Sequence, residues 1–280
     1  MKKTLSVILA VIMALGCVLM FAACGNTTEE ATTAADETAA SDLDYIKNKG
    51  EMIIGYTEFA PMNYIDDNGE FVGFETEFAK AICEKLGVDA KFQLIDWSAK
   101  ETELAGKTID CIWNGMTITA ERLENMSIST PYMANKQVVI VKAANADKYT
   151  KAEDFDGANV VAEIESAGEE VAKTDATFAN ANYTAVDTQA KTLMEVKSGV
   201  ADCAVVDYVL SIGMIGEGTD YEDLVVLDAF AFADEEYGIA FRKGSDVTDA
   251  VNAAITALVA DGTLATIADT YKLTEQIIAK

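Results

Sequence analysis

Residues 109–122 concentrate groups that could hold a small anion: Ile109-Asp110-Cys111-Ile112-Trp113-Asn114-Gly115-Met116-Thr117-Ile118-Thr119-Ala120-Glu121-Arg122. The stretch opens as a continuous apolar run of the kind a buried strand makes. Gly115 breaks that run, and Thr119 stands where a helix N-cap belongs, with Glu121 and Arg122 in the first turn. A strand end, a glycine and a helix start gather backbone N–H groups and hydroxyls at one point. Arg122 adds a planar, permanently charged fork that matches a carboxylate. The competing role for Arg122 is an ordinary ion pair with a surface carboxylate, since this chain is rich in them.

Composition narrows what such a site can serve. The 280 residues suffice for one large domain or two lobes with their own cores. The formal charge is −26 and there is no histidine, which argues against nucleic acid or basic attachment to anionic lipid as partners. It also removes His-dependent triads and His-rich zinc sites, and nothing calls for a metal or cofactor. Residues 1–23 read as a leader, with Lys2 and Lys3 before the uncharged apolar run Leu5 to Ala23. That run is also long enough to span a bilayer, so a retained anchor competes. Phe21-Ala22-Ala23-Cys24-Gly25 resembles a lipobox, with Phe21 where Leu is usual, which makes Cys24 the lipidation candidate. Cys17, after Ala14-Leu15-Gly16, fits that pattern less well. Residues 24–43, dominated by Thr, Ala, Glu and Asp, read as a disordered acidic tether. Cys83, Cys111 and Cys203 remain, an odd set that suggests buried thiols and no disulfide framework.

The elements that must position residues 109–122 alternate strand and helix. Glu51–Tyr56 reads as a strand, 57–64 as a loop and Asp66-Asp67-Asn68-Gly69 as a turn. The segment from Phe71 to Ile82 starts a helix with Phe74, Phe78, Ile82 and Leu86 on one face, ended by Gly87. A second α/β lobe follows: a strand at Lys136–Val141, a turn and strand at Phe155–Glu163, and a helix opened by Ser166-Ala167-Gly168. Asp187 caps a helix in which Ala190, Leu193, Met194 and Lys197 align and which Gly199 ends. Ala201–Tyr208 is a buried strand with Asp207 at its end, an N-cap by position. Val247, Val251, Ala254, Ile255 and Leu258 share a helix face that Gly262 stops, and Leu264, Ile267, Ala268 and Tyr271 stripe the next. No solenoid-type repeat is present.

Asn114-Gly115-Met116-Thr117-Ile118-Thr119-x-x-Arg122 resembles the ligand motif of the bacterial extracellular solute-binding proteins of family 3, polar amino-acid receptors of ABC importers. Asn114 stands where that family often has Ala or Ser. Gly73-Phe74-Glu75-Thr76-Glu77 resembles its Gly-Phe-Asp-x-Asp signature with glutamates for the aspartates, and Asp234–Ser245 resembles its second crossing strand and the turn after it. The resemblance runs from about Asp44 to Leu273.

It implies a two-lobed α/β fold of the type II periplasmic-binding-protein kind, each lobe a mixed sheet flanked by helices, joined by two crossing hinge strands. Lobe 1 would be 44–135 and 237–280, lobe 2 136–236. It implies that the Gly115 backbone, Thr117 and Arg122, within a motif that includes Asn114 and Met116, hold a ligand α-carboxylate. Phe59 and Trp97 would stack on the ligand, and Tyr56 stands where many relatives carry an aspartate that touches it. Amides of Ser166, Ala167 and Gly168 would contact the ligand from the second lobe, although an ordinary β–α turn is an equal reading. Asp207 would accept from the α-ammonium. The implied function is an extracytoplasmic, lipid-anchored monomer that delivers a polar amino acid to importer membrane subunits without reaction. Two alternatives stand: a cyclohexadienyl-dehydratase-like enzyme with Glu58 or Glu163 as acid, and a sensor input domain. The sensor would need a transmembrane helix and signalling domain after residue 273, whereas the chain ends at Lys280.

Overall fold

A computed structural model describes residues 41–280. The leader at 1–23, Cys24 and all but the end of the tether lie outside the described residues. In chain order the strands are β1 (Glu51–Tyr56), β2 (Tyr64–Ile65), β3 (Phe71–Val72), β4 (Asp89–Leu94), β5 (Cys111–Ile112) and β6 (Met126–Ile128). They continue as β7 (Met133–Lys142), β8 (Asn159–Glu163), β9 (Asn182–Val186), β10 (Cys203–Asp207), β11 (Leu224–Tyr237) and β12 (Ala240–Arg242). The helices are α1 (Asp42–Lys49), α2 (Phe74–Leu86), α3 (Lys100–Ala105), α4 (Ala120–Asn125) and α5 (Ala167–Thr174). Then come α6 (Gln189–Ser198), α7 (Tyr208–Met214), α8 (Val247–Ala260) and α9 (Thr263–Thr270).

Two mixed sheets organise these elements. One has the order β4-β1-β5-β12-β6, the other β11-β7-β10-β8-β9, and β2 and β3 form a separate hairpin. β1 runs parallel to β4 and β5, and β12 lies antiparallel between β5 and the edge strand β6. In the second sheet β8 is parallel to β9 and β10, while β7 lies antiparallel between β10 and β11. Chain from 51 to 128 and the short return at 240–242 therefore build the first sheet, and 133–237 builds the second. The connection between them is made at two adjacent places. Tyr132 N–H donates to the Tyr237 carbonyl at 3.0 Å, and Gly238 N–H to that of Met116 at 3.0 Å. A continuous apolar cluster runs through both halves, from Ile54, Phe78 and Trp113 to Val206 and Leu210.

Local chemistry explains most element ends. Gly87 and Gly199 terminate α2 and α6 in the left-handed conformation that costs glycine little. Val247, Val251, Ala254, Ile255 and Leu258 are all buried, so the stripe along α8 is its core face. Cys83, Cys111 and Cys203 are buried free thiols.

Four expectations change. The tether ends earlier than residue 43, because the Ser41 hydroxyl accepts from Asp44 N–H and caps α1, and Asp42 pairs with Arg242 at 2.9 Å. Phe71 and Val72 pair with β2 and do not begin the helix. Thr188, not Asp187, caps α6, leaving Met194 exposed. The second crossing strand is the end of a fourteen-residue β11 that starts at Leu224, well before Asp234.

Candidate functional site

The carboxyl ends of β5, β8 and β10 face a small cavity between the sheets. Ligands in open α/β sheets bind outside such strand ends, where the connections diverge. One wall is Trp97, Asn114, Gly115, Thr117 and Arg122; the other is Glu163, Ser166, Ala167, Gln189 and Asp207.

The first wall is built by the turn after β5. Gly115 has φ +55°, and an added Cβ would lie 2.6 Å from the Phe59 ring, so both conformation and space require glycine. The Asn114 side chain donates to the Thr57 carbonyl at 2.8 Å and accepts from the Thr57 hydroxyl at 2.6 Å, tying this turn to the end of β1. Gly115 N–H, which the resemblance gives to a ligand carboxylate, donates instead to Glu75 Oε1 at 2.9 Å. The Tyr132 hydroxyl donates to the same oxygen. Burial pushes the Glu75 carboxyl up to about 7 against those two donors. The Thr119 hydroxyl caps α4 by accepting from Arg122 N–H, which fixes the start of the Arg122 side chain. Nη1 of Arg122 then donates to the Thr117 carbonyl at 2.8 Å.

The second wall is organised by Asp207. Its position is that of an N-cap to α7, yet its side chain makes no capping bond. Oδ1 accepts from Asn135 Nδ2 and Gln137 Nε2, each at 2.6 Å, and Oδ2 accepts from Gln189 Nε2. Glu235 accepts from the same two amides at 3.1 and 3.0 Å and from the Thr117 hydroxyl at 3.1 Å. Burial raises both carboxyls, and for Glu235 the Asp207 charge adds to it. Glu163 is pushed up to about 8 by burial and by Asp207, with Lys100 and Arg122 acting in the opposite direction.

The walls meet at Glu165, held at φ +56°. Its carbonyl accepts from Trp97 Nε1 at 3.2 Å and Arg122 Nη2 at 3.3 Å, and its carboxylate pairs with Lys100 at 3.3 Å. Three side chains of the first half thus converge on one residue of the second.

Eight of the twelve ligand-site residues inferred from the sequence line this cavity; Tyr56, Phe59, Met116 and Gly168 do not. Tyr56 packs 4.7 Å from Phe71, outside the cavity lining. Phe59 is buried beneath the Gly115 turn, and Met116 is fully buried beside Ile95 and Ile109. Gly168 lets α5 approach β10, since a Cβ there would meet the Val205 carbonyl at 2.7 Å. Glu58 is exposed and Glu163 is in the wall. Gln189, Asn135 and Gln137, which hold the Asp207 carboxylate, are not marked by any local motif. Asn135 and Gln137 occupy alternate positions of β7, and two amides on a strand face otherwise made of Met133, Val139 and Val141 are the signal that points to them.

Known proteins share the sequence pattern and the fold. The chain is 28% identical over 231 residues to the L-cystine-binding protein TcyJ of Escherichia coli, covering 82% of this chain and 85% of TcyJ. It superposes on the arginine-bound form of a truncated ArgBP from T. maritima with TM-score 0.69 and 32% identity, covering 77% and 99% of the two chains. On the ancestral amino acid-binding protein AncCDT-1, a precursor of cyclohexadienyl dehydratase, the values are TM-score 0.74, 30% identity, 82% and 99%. The fold is that of these two-lobed binding proteins. With residues 52–274 matching the family model, the chain belongs to the bacterial extracellular solute-binding proteins, family 3.

Proposed function

We propose that this protein captures a free amino acid in the cavity, closes two lobes around it and presents it to the membrane subunits of an ABC importer, without chemical change to the ligand. One observation carries the reading. Arg122 and Asp207 line opposite walls of one cavity, and among the described residues neither has an oppositely charged side chain paired with it. An α-amino acid brings the two missing charges on adjacent groups. Its carboxylate takes the free N–H edges of Arg122, and its ammonium takes Asp207, in a site where little water screens the pairs.

In this reading lobe 1 is 44–135 with 237–280, and lobe 2 is 136–236. They rotate about the two crossing segments, at the start of β7 and the end of β11, and a ligand that touches both walls favours the closed form. The contacts gathered on Glu165 support closure, because they join Trp97, Lys100 and Arg122 to the far wall. The protein is a monomer held at the outer face of the membrane by a lipid on Cys24, with the acidic segment as its leash. Use of Glu163 as the acid of a dehydratase is the competing reading, since its carboxyl is pushed up to about 8 inside the cavity.

A thermal-shift screen against the common L-amino acids, with mass spectrometry of the recovered ligand, tests the proposal. A ligand at a hundred times its Kd adds about 2.7 kcal/mol of stability. For a fold of this size that raises Tm by about 5–10 °C. At least one amino acid should do so and be recovered intact; no shift with any of them, or conversion of the ligand, contradicts the reading.

A further inference from the structure

Glu163 ends β8 with its side chain in the cavity wall and only 3% of its surface exposed. Its Oε1 has no hydrogen-bond partner. The neighbouring acids are better served: Asp207 has three amide donors, and Glu235 has two amides and a hydroxyl. The nearby cations are engaged elsewhere. Lys100 donates to the Trp97 carbonyl and pairs with Glu165, and Arg122 donates to the carbonyls of Thr117 and Glu165. Glu75 Oε2 and Asp110 Oδ1 are also buried without a hydrogen-bond partner, but of these three carboxyls Glu163 alone lines the cavity, where a bound molecule can complete it.

We propose that Glu163 is the specificity carboxylate of this site and pairs with a second positive charge, so that the ligand is a dibasic amino acid with a guanidinium or ammonium side chain. The proposal rests on the amino-acid reading above and adds the ligand's class to it. Arg122 and Asp207 answer the two backbone charges and leave Glu163 over. A neutral amide side chain can share a hydrogen bond with Glu163 but brings no charge to pair with it, so it binds more weakly. A dicarboxylic amino acid brings a further negative group beside the Asp207 and Glu235 carboxyls, offers no cation to Glu163 and is disfavoured.

Protonation gives this a signature. The groups acting on Glu163 are Asp207 from β10, Arg122 from α4 and Lys100 from α3. From α5, Glu169 is turned to Lys173 and Tyr183, while α6 and β9 present Gln189 and Val186. With its pKa raised to about 8 in the empty site, Glu163 holds a proton at neutral pH. Pairing with a cation keeps it ionised, which lowers that pKa on binding. Binding at pH 7 therefore releases a proton from Glu163, and affinity rises with pH until about 8. A ligand that instead accepted from protonated Glu163 would lose affinity above that pH.

Calorimetry of the full-length protein with L-arginine, L-lysine, L-glutamine and L-glutamate, in two buffers of different ionisation enthalpy, makes the test. At least one of arginine and lysine should bind tenfold or more tighter than glutamine, with glutamate not binding, and the better of the two identifies guanidinium or ammonium. Glu163→Gln should weaken the dibasic ligand at least about tenfold, change glutamine less than about threefold and abolish the Glu163 share of proton release. Glutamine or glutamate binding wild type as tightly as the better dibasic ligand overturns the proposal, with no variant needed. Unchanged dibasic affinity or unchanged proton release in Glu163→Gln overturns the assignment to Glu163. If no amino acid binds at all, the parent reading fails and this one with it.

Discussion

Arg122→Ala and Asp207→Ala should each weaken amino-acid binding by a factor on the order of a hundred to several thousand. Removing one partner leaves the opposite ligand charge buried and unpaired, which costs roughly 3–5 kcal/mol. The geometry makes both sites sensitive. Arg122 is anchored through the Thr119 cap and the carbonyls of Thr117 and Glu165, so its remaining N–H edge is fixed in direction. Asp207 is fixed by Asn135, Gln137 and Gln189, which leaves its charge no freedom to follow a misplaced ligand. Arg122→Lys should restore only part of the loss, because an ammonium cannot reproduce a planar fork. Calorimetry gives the affinities, and circular dichroism confirms that the variants keep their fold. Binding within a few-fold of wild type in both folded variants contradicts the assignment of the two charges.

Gly213→Val should weaken binding at least about tenfold without touching the cavity. Gly213 lies in α7, beyond Asp207, and packs on Pro61 of the other half. An added Cβ would sit 2.6 Å from the proline Cδ and 2.7 Å from its backbone nitrogen. Neither atom is the end of a flexible side chain, so the halves must separate to admit it. Apparent affinity falls by the fraction of closed form lost. α7 itself tolerates the change, since glycine is a poor helix former. Small-angle scattering should show that ligand compacts wild type and fails to compact the variant. Equal compaction with unchanged affinity contradicts the role of this contact in closure.

Much of the site was legible because its signals are local. The Thr119 cap, the break at Gly115 and the position of Arg122 follow from neighbouring residues, and the structure places them as the spacing requires. Asp207 stands out at the end of a buried strand. Position alone makes it an N-cap, but its side chain makes no capping bond, and its ligand role comes from the resemblance. Its partners are not legible, because Gln137 faces it through antiparallel register between β7 and β10, and Gln189 reaches it from α6. The roles of glycines also depended on packing. Gly115 and Gly168 look alike in sequence, yet one turns the chain at the cavity and the other admits a helix to a sheet. The helix α1 is not legible in the sequence because its stretch is polar and its fixing contacts, Asp42 to Arg242 and Ser41 to Asp246, span some two hundred residues. The resemblance makes Tyr56 a candidate ligand contact only through the position it occupies. Its partners here, Phe71 and Phe92, lie in strands that only the folded hairpin and sheet bring beside it.

The most direct test is a crystal structure of the protein with the amino acid that stabilises it most. The expected density places the ligand in the cavity between Gly115 and Ser166, its α-carboxylate oxygens within hydrogen-bond distance of Arg122 and its α-ammonium against Asp207. A ligand bound elsewhere, or one with its backbone charges paired to neither residue, would contradict the account.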